Sequence, residues 1–443
     1  MQNMLNKIDY SNPFIIAFFA GTILSFLIEH ILEFIDWKAR TKNGGKLPVE
    51  FESIPSASVF DKEKLKKIND YKNQKYFFWI PSSICSFALA LAMVALGFYP
   101  WIFNAACKIT GAPNGYTSTF LCGLLFVLFR SVPNMILSIP FDLIHEFKLE
   151  RKFGFSKMTG KLWIQDKIKG LLISIIFAVG IVAAITGILI IWQNHWWIFL
   201  TILFFALTLI MQIIYPLIIA PMFNKFTPLE DGELKTKITE LMKNIGFKAS
   251  GIFVMDASKR SGHSNAYFGG LGKSKRIVLY DTLLKQLSTD ELIAVLGHEL
   301  GHFKLHHIIR KFFVLIPVEF VLMFALNLCA HSTSLYAGFG FSVNAENVLS
   351  MQFIGLVLAS IVWGAFSELI SPISHTASRR DEYQADNFSA RLTKNPDALI
   401  SGLIKLNSEN LSELFPPKIY VFWNYSHPTL LERIKALKNA KID

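Results

Sequence analysis

Long apolar blocks alternate with polar connectors along most of the chain. Seven blocks are long enough, or nearly so, to cross a bilayer, which takes about 20 residues of helix. They cover residues 13–36, 78–103, 119–144, 170–192, 196–219, 311–331 and 351–371. Only Gln193, Asn194 and His195 separate the fourth block from the fifth, which predicts a tight helical hairpin. The pattern predicts an α-helical polytopic membrane protein with seven transmembrane helices.

The polar segments divide the remaining chain. The fifth connector, residues 220–310, is the only candidate for a compact polar subdomain. Helical periodicity covers residues 233–245, and residues 251–255, 264–268 and 276–280 have the pattern of short strands. Ser288 and Glu291 form a capping-box pattern, which predicts a helix that starts at Thr289 and continues directly into the sixth span. Residues 42–75, by contrast, predict an exposed loop with one short helix.

These boundaries predict four parts. Residues 1–219 hold five transmembrane helices with basic cytoplasmic loops, and residues 220–310 form a small α+β subdomain. Residues 311–371 form a transmembrane hairpin of the sixth and seventh spans. Residues 372–443 form a C-terminal part on the same membrane face as the subdomain.

Basic residues concentrate in alternate connectors. The first, third and fifth connectors are rich in Lys and Arg, whereas the second has only Lys108 and the fourth and sixth have none. Cytoplasmic loops of membrane proteins carry such an excess of positive charge. Seven spans then place the N-terminus outside or in a lumen, and the fifth connector and the C-terminus in the cytoplasm. We expect an endoplasmic reticulum membrane in a eukaryote and the inner membrane in a bacterium.

Composition supports the membrane interpretation. The chain is 52% hydrophobic and 17% charged, whereas soluble domains carry about 25% charged residues. The net charge of +11 could indicate a nucleic-acid partner, but its concentration in connectors favours membrane topology. The four cysteines form no C-x-x-C pair and lie in or beside apolar segments, so they argue neither for a disulfide framework nor for a cysteine–zinc site. A Cys107–Cys122 bridge would require an oxidising lumen and is not favoured.

The predicted subdomain helix contains the pattern H-E-x-x-H, from His298 to His302. Histidines four residues apart lie about 40° apart around an α-helix, so both imidazoles can bind one metal ion. Glu299 points to the same side. Zinc with three protein ligands and a water is a hydrolytic site that uses a glutamate as general base. The alternative is a structural helix with two exposed histidines.

A zinc site needs a third protein ligand. His306 continues the histidine stripe, but it lies about 12 Å along the helix from His298, while Zn–N bonds are about 2.0–2.1 Å. His306 and His307 are therefore expected at the membrane interface or behind the ligands. The third ligand must come from elsewhere on the same membrane face.

The segment after the seventh span offers two carboxylates. Glu382 and Asp386 are four residues apart, so they share one face of a predicted helix. One could bind the metal while the other holds a ligating imidazole by its second nitrogen. The rival interpretation is a solvated face that pairs with Arg379 and Arg380. Spacing alone supports the two interpretations equally.

The sequence resembles the CAAX prenyl protease 1 family, which comprises seven-span integral-membrane zinc metalloproteases of the gluzincin type. The resemblance covers nearly the whole chain. It is carried by IPFD at 139–142, ERKFGF at 150–155, YP at 215–216, IAP at 219–221, FNKF at 223–226, SGHSNAYF at 261–268, the H-E-x-x-H core, EYQAD at 382–386 and SHPTLLER at 426–433.

The resemblance implies roles for individual residues. Glu382 becomes the third zinc ligand, which leaves Asp386 to support a ligand from behind. Asn265 would help to position the substrate along a short strand, the alternative being an ordinary turn asparagine. His427 would reach the site and donate a hydrogen bond to the oxyanion, the alternative being an exposed histidine. The seven spans would form a barrel around a water-filled chamber, with zinc at its cytoplasmic end.

The expected function is that of a zinc metalloendopeptidase in which Glu299 activates the attacking water. By resemblance the substrate is a prenylated CAAX protein, from which the last three residues are removed. A bacterial source would favour membrane-protein quality control, and a scaffold or transport protein with structural zinc is a rival from another class. GGLGKS at 269–274 lacks the first glycine of a phosphate loop because Tyr267 stands there, so no nucleotide site is expected.

Overall fold

The computed structural model describes residues 7–270, 275–343 and 348–440. Its first half consists of helices α1 (Pro13–Asn43), α2 (Val49–Glu52), α3 (Lys62–Ala95), α4 (Phe98–Thr110), α5 (Tyr116–Ile144), α6 (Arg151–Phe153), α7 (Gly160–Ile191), α8 (Trp196–Ile214) and α9 (Ala220–Phe223). π-Helical turns at His145–Glu150 and Tyr215–Ile219 continue α5 into α6 and α8 into α9, and a 3₁₀ turn covers Pro55–Val59.

A small sheet separates this half from the remaining helices. Its strands are β1 (Phe226–Pro228), β2 (Ile252–Met255), β3 (Ala266–Gly269) and β4 (Arg276–Tyr280). The helices around and after it are α10 (Glu233–Asn244), α11 (Asp281–Gln286), α12 (Thr289–Lys304), α13 (His307–Ala330), α14 (Thr333–Gly338), α15 (Gln352–Gly364), α16 (Ser367–Thr393), α17 (Pro396–Glu409), α18 (Lys418–Asn424) and α19 (Leu430–Lys438). Further 3₁₀ turns cover Ala257–Lys259 and Val348–Met351.

Six helical segments of the described chain are long and apolar enough to cross a membrane. They are α1, α3, the continuous segments Tyr116–Phe153 and Trp196–Phe223, α7 and α13. The segments Val348–Gly364 and Ser367–Thr393 qualify together as a seventh, bent by 69° between α15 and α16. The predicted fold class, an α-helical polytopic membrane protein with a small α+β subdomain, is thereby confirmed. The predicted hairpin is also present, between Ile191 and Trp196.

Two predictions about the chain before α5 are wrong. The second span does not continue to residue 103, because Gly97 adopts a left-handed conformation (φ +66°) that ends α3 and starts α4 in a new direction. Residues 42–75 are not an exposed loop. The lysine run lies in the first turns of α3, where Leu65 and Ile68 are buried, and Phe51 and Phe60 are buried ahead of it.

The sheet has the strand order β1-β2-β4-β3. Strands β2 and β4 are parallel, and β1 and β3 pair antiparallel at the two edges. The prediction missed β1 because its three residues, Phe226, Thr227 and Pro228, are too few to show alternation, and proline is tolerated only at such an edge. The predicted third strand starts later than expected, at Ala266, so Asn265 immediately precedes it.

Helix α12 lies between two apolar clusters. Leu292, Leu296 and Leu300 belong to the cluster formed with the sheet, α10 and α11. Ala294, on another face of α12, belongs to the cluster formed by α17, α19 and the connectors near Phe51 and Phe153. Leucines spaced by four residues form one stripe of a helix. The packing of this stripe and of Ala294 therefore fixes the side of α12 on which His298 and His302 lie.

Helix α12 does not continue into the sixth span as predicted. It ends at Lys304, and α13 begins at His307. Between them His306 adopts a left-handed conformation (φ +55°), which an α-helix of L-residues does not accommodate. The break turns the chain, and it brings His307 back towards the histidines of α12.

Candidate metal centre

The start of α12 is fixed by its cap. The Ser288 amide donates to Glu291 Oε2 at 2.8 Å, and the Glu291 amide donates to Ser288 Oγ at 3.4 Å, so the predicted capping box is present. Glu291 also accepts hydrogen bonds from Ser401 and Lys405 of α17. These bonds tie the first turn of α12 to the C-terminal part of the chain.

Helices α12 and α16 approach closely at glycine positions. A Cβ atom on Gly301 would lie 3.0 Å from Ala385 Cα, and one on Gly297 would lie 2.8 Å from Ser389 Oγ. Ser389 Oγ in turn donates to the Ala294 carbonyl at 2.6 Å. Only glycine leaves room for this approach. The two helix backbones therefore come near enough for side chains from both helices to bind one metal ion.

The three expected ligands lie together at this contact. His298 Nε2 and His302 Nε2 are 3.2 Å apart. Glu382 Oε2 is 3.3 Å from His298 Nε2, and Glu382 Oε1 is 3.2 Å from His302 Nε2. His298 and Glu382 are buried, at 6% and 4% exposure. Among the described residues these three form a group of His, Cys, Asp or Glu side chains whose spacing suits a metal ion.

The spacing fits a tetrahedral ion. Bonds of about 2.0–2.2 Å to nitrogen and oxygen place neighbouring ligand atoms of a tetrahedron about 3.3–3.6 Å apart. Glu382 Oε2 is buried and accepts no hydrogen bond within the described chain, which leaves a lone pair for a cation. Burial alone would lower the pKa of His298, but the neighbouring carboxylates of Asp386 and Glu382 outweigh it and raise the pKa to about 9. This excess of negative charge favours a bound cation.

Asp386 supports His298 from behind. Its Oδ1 lies 2.7 Å from His298 Nδ1, which leaves Nε2 free to face the centre. Arg433 of α19 holds the same carboxylate by two hydrogen bonds, Nη2 to Oδ1 at 2.6 Å and Nε to Oδ2 at 2.8 Å. Arg433 was not among the predicted site residues. An arginine is not a metal ligand, so its residue type did not indicate a place at the site. The one sequence signal was its position in the SHPTLLER segment, which carries the family resemblance.

His302 has a different support. Its Nδ1 lies 2.9 Å from Nδ1 of His307, and His307 Nε2 lies 2.9 Å from Gln384 Oε1. His307 is 1% exposed, so it belongs behind the ligands, whereas His306 is exposed at the helix break. A glutamine oxygen only accepts, so His307 Nε2 carries the proton and His307 Nδ1 accepts from His302 Nδ1–H. This relay leaves His302 Nε2 as a lone-pair donor.

Glu299 and His427 flank the group. Removal from water raises the pKa of Glu299, and the charges of His298 and His302 oppose that rise. His427 Nε2 lies 3.5 Å from Glu382 Oε1. Its side chain is 61% exposed, yet desolvation by the surrounding protein still lowers its pKa. The Ser426 hydroxyl, 2.9 Å from His427 Nδ1, can donate to that nitrogen and so leave a proton on Nε2.

Asn265 lies in the turn that enters edge strand β3. Its side chain is exposed, its Oδ1 accepts from the Ala266 amide at 2.8 Å, and its carbonyl accepts from the Tyr280 amide at 3.1 Å. Strand β3 pairs with β4 on one side and is the last strand of the sheet, so its outer edge can add an extended peptide. The expected substrate role of Asn265 remains a prediction.

Two alternatives from the sequence can now be weighed. Arg379 donates to backbone carbonyls of α18 and of Tyr425, while Asp386 is paired with Arg433. The interpretation that Glu382 and Asp386 form a solvated face is wrong, because both are buried.

Cys107 Sγ and Cys122 Sγ lie 3.5 Å apart, and both cysteines are free. Residues 271–274 of the glycine-rich segment lie outside the described residues.

Comparisons with known proteins match both halves of the chain. The model of peptidase family M48 matches residues 228–441, and the model described as "CAAX prenyl protease N-terminal, five membrane helices" matches residues 41–225. The "CAAX prenyl protease 1 homolog" of Arabidopsis thaliana is 36% identical over 433 residues, which cover 95% of this chain and 97% of the relative. "CAAX prenyl protease 1" of Saccharomyces cerevisiae is 33% identical, covering 99% and 98%.

A solved structure shows the same fold. The crystal structure of S. mikatae Ste24p superimposes with a TM-score of 0.87 at 33% sequence identity, and the match covers 96% of this chain and 99% of that one. The family of a metallopeptidase implies a metal, and the buried His298, His302 and Glu382 supply a place for one ion. By its sequence, its fold and these relatives, the chain belongs to the CAAX prenyl protease 1 family and is an integral-membrane metalloprotease of peptidase family M48.

Proposed function

We propose that the protein is a zinc endopeptidase that removes the last three residues from prenylated CAAX proteins at the cytoplasmic face of its membrane. The observation that carries the proposal is the cluster of His298 Nε2, His302 Nε2 and the Glu382 carboxylate. The two nitrogens lie 3.2 Å apart, Glu382 Oε2 lies 3.3 Å from His298 Nε2 and Glu382 Oε1 lies 3.2 Å from His302 Nε2, spacings that suit tetrahedral zinc. The names of its full-length relatives support the substrate class.

In this proposal His298, His302 and Glu382 hold the zinc ion, which supplies Lewis acidity at the scissile carbonyl. Asp386 and His307 hold the two imidazoles so that each presents Nε2. Their hydrogen bonds of 2.7 and 2.9 Å make both ligands rigid before substrate arrives.

Glu299 is the general base. Its raised pKa suits a carboxylate that takes a proton from the attacking water and later passes it to the leaving amine. Its place next to His298 in the same helix turn keeps it beside the ligands. A glutamine at this position would keep the shape of the side chain and remove its ability to accept a proton.

His427 and Asn265 act on the substrate. With Ser426 donating to Nδ1, His427 presents Nε2–H towards the metal ligands, where it can donate to the oxyanion that develops during attack. Asn265 precedes β3, which is an edge strand of the sheet in the described part of the chain, and an extended peptide would pair there in antiparallel or parallel register. Both residues would contribute more to the transition state or to substrate alignment than to metal binding.

Peptide cleavage with two matched substrates tests the proposal. A farnesylated CAAX peptide and its unprenylated copy are incubated with purified protein containing zinc, and the products are identified by mass spectrometry. We expect loss of the last three residues from the farnesylated peptide, and no product from the Glu299→Gln chain. Cleavage of the unprenylated peptide at the same rate would support a broader quality-control protease. Absence of cleavage of both would refute the proposed function.

The proposed orientation has its own test. A reporter fused after residue 443 should lie in the cytoplasm, because the odd-numbered connectors carry the positive charge. In a eukaryotic host we expect the protein in the endoplasmic reticulum membrane, and in a bacterial host in the inner membrane. A reporter on the opposite side would place the metal site away from cytoplasmic substrates and contradict the proposal.

A further inference from the structure

The segment that carries His427 has little packing of its own. Helix α18 is only seven residues long, and of its residues Val421 alone is buried. His427 follows three residues after its last residue, Asn424, and its side chain is 61% exposed. A short helix and an exposed turn lose conformational entropy when ordered, so some other contact must hold the imidazole 3.5 Å from Glu382.

Arg379 of α16 supplies that contact. Its Nη1 donates to the carbonyls of Val421 at 3.1 Å and Tyr425 at 2.6 Å, and its Nη2 donates to Thr376 Oγ1 at 2.8 Å. His375 Nδ1, one turn earlier, lies 2.7 Å from the Trp423 carbonyl and donates to it. The last carbonyls of a helix have no partner within the helix, and a guanidinium satisfies several at once.

The position of Arg379 along α16 connects this contact to the metal site. Arg379 and Glu382 are three residues apart, and Glu382 and Asp386 are four apart, so all three lie along one side of the helix. One rigid turn of helix therefore separates the guanidinium that holds the Tyr425 carbonyl from the carboxylate beside His427. The arginine fixes the backbone two residues before the imidazole.

We propose that Arg379 is a positioning residue that sets the place of the His427 imidazole relative to Glu382, and so controls how well His427 stabilises the oxyanion. This inference rests on the proposed function. The hydrogen bonds of Arg379 within the described residues go to backbone carbonyls of residues 421–425 and to Thr376 Oγ1, so it acts through that backbone. The neighbouring Arg380 is exposed and offers a matched control.

A double-mutant cycle on kcat tests the inference. Arg379→Lys keeps the positive charge but loses the planar guanidinium, which donates through Nη1 to the Val421 and Tyr425 carbonyls while Nη2 donates to Thr376 Oγ1. A misplacement of about 1 Å can cost about 10²-fold in rate. We expect Arg379→Lys to lower kcat for the CAAX peptide roughly 10- to 100-fold with KM within about twofold. Zinc content should be unchanged, and Arg380→Lys should match the wild type.

The decisive comparison uses the His427→Ala background. If Arg379 acts through His427, adding Arg379→Lys there should change kcat by less than about twofold, because the positioned group is already gone. Equal losses in both backgrounds, or an Arg379→Lys chain with wild-type kcat, would overturn the inference and leave the proposed function intact. Wild-type kcat in His427→Ala alone would remove the proposed role of His427 and this inference with it.

His375→Gln provides a second variant if the arginine substitution impairs folding. It removes the imidazole donor to the Trp423 carbonyl while leaving Arg379 in place. We expect a smaller loss of kcat, again only where His427 is present. A loss of kcat that persists in the His427→Ala background would show that α18 serves the site in some other way, and it would count against the inference.

Discussion

The α12–α16 pair and the membrane spans bury their surfaces very differently. Eight of the sixteen residues of α12 are buried, and Gly301 lies against the backbone of α16. In the most apolar window of the span Trp196–Phe223 only 6% of residues are buried, and in that of Lys62–Ala95 only 11%. The α12–α16 pair is packed like the core of a soluble protein, whereas the spans expose apolar surface that lipid can cover.

This difference shows where geometric precision is needed. To hold an ion, the ligand atoms must stay within about 0.5 Å of their ideal positions around it. Close packing and hydrogen-bonded supports provide that precision. The spans instead expose much of their apolar surface, where contact with lipid does not require that precision. Substitutions in the two regions should therefore differ in their effects.

The largest effect is expected at the ligand that joins the two helices. Glu382→Gln keeps the volume of the side chain but removes the negative charge, so zinc binding and peptide cleavage should both be lost. Metal analysis of the purified protein and a cleavage assay measure the two losses. Glu409→Gln, which breaks an exposed ion pair with Lys64 at 2.8 Å, should change neither.

The next effect is expected one turn along α16. Asp386→Asn removes the carboxylate that holds His298 Nδ1 and leaves Arg433 without its partner. We expect zinc affinity to fall about 10- to 100-fold, measured by competition with a chelator. Asp142→Asn is the matched control in the spans. Its partner Lys167 is half exposed, so zinc affinity should not change. An equal loss in both variants would contradict the comparison.

The smallest effect tests the packing itself. A Cβ on Gly301 would meet Ala385 Cα at 3.0 Å, so Gly301→Ala must push α16 away and should destabilise the protein by about 1–3 kcal/mol. A Cβ atom on Gly180 in α7 would have no atom within 4 Å among those that it could meet. Gly180→Ala should be neutral or should stabilise the helix by up to about 1 kcal/mol. Thermal unfolding of both variants measures the difference, and similar shifts in both would refute it.

Local signals predicted much of this site. The capping box at Ser288 and the H-E-x-x-H pattern involve neighbours along one helix, so periodicity was enough to place His298 and His302 on one side. The six continuous spans were also predicted because about 20 apolar residues are a strong signal. Glu382 was different. Spacing left its role open, and only the family resemblance selected it.

The rest depended on contacts between distant segments. Arg433 and His307 acquire their roles from a fold that brings α19 and the start of α13 behind the ligands, which no local pattern encodes. The break at His306 was missed because its neighbours favour a continuous helix, and a histidine is only a weak sequence signal for a left-handed conformation. The bend between α15 and α16 was missed because it lies within residues 351–371, which the sequence presents as one apolar block.

The central claim is that the α12–α16 pair holds a hydrolytic zinc ion with Glu299 as the base. The most direct measurement is the zinc content and the rate of CAAX-peptide cleavage of the purified Glu299→Gln chain beside the wild type. The account predicts one zinc ion per chain in both proteins and cleavage by the wild type alone. Cleavage at the wild-type rate by the Glu299→Gln chain with its zinc bound would contradict it.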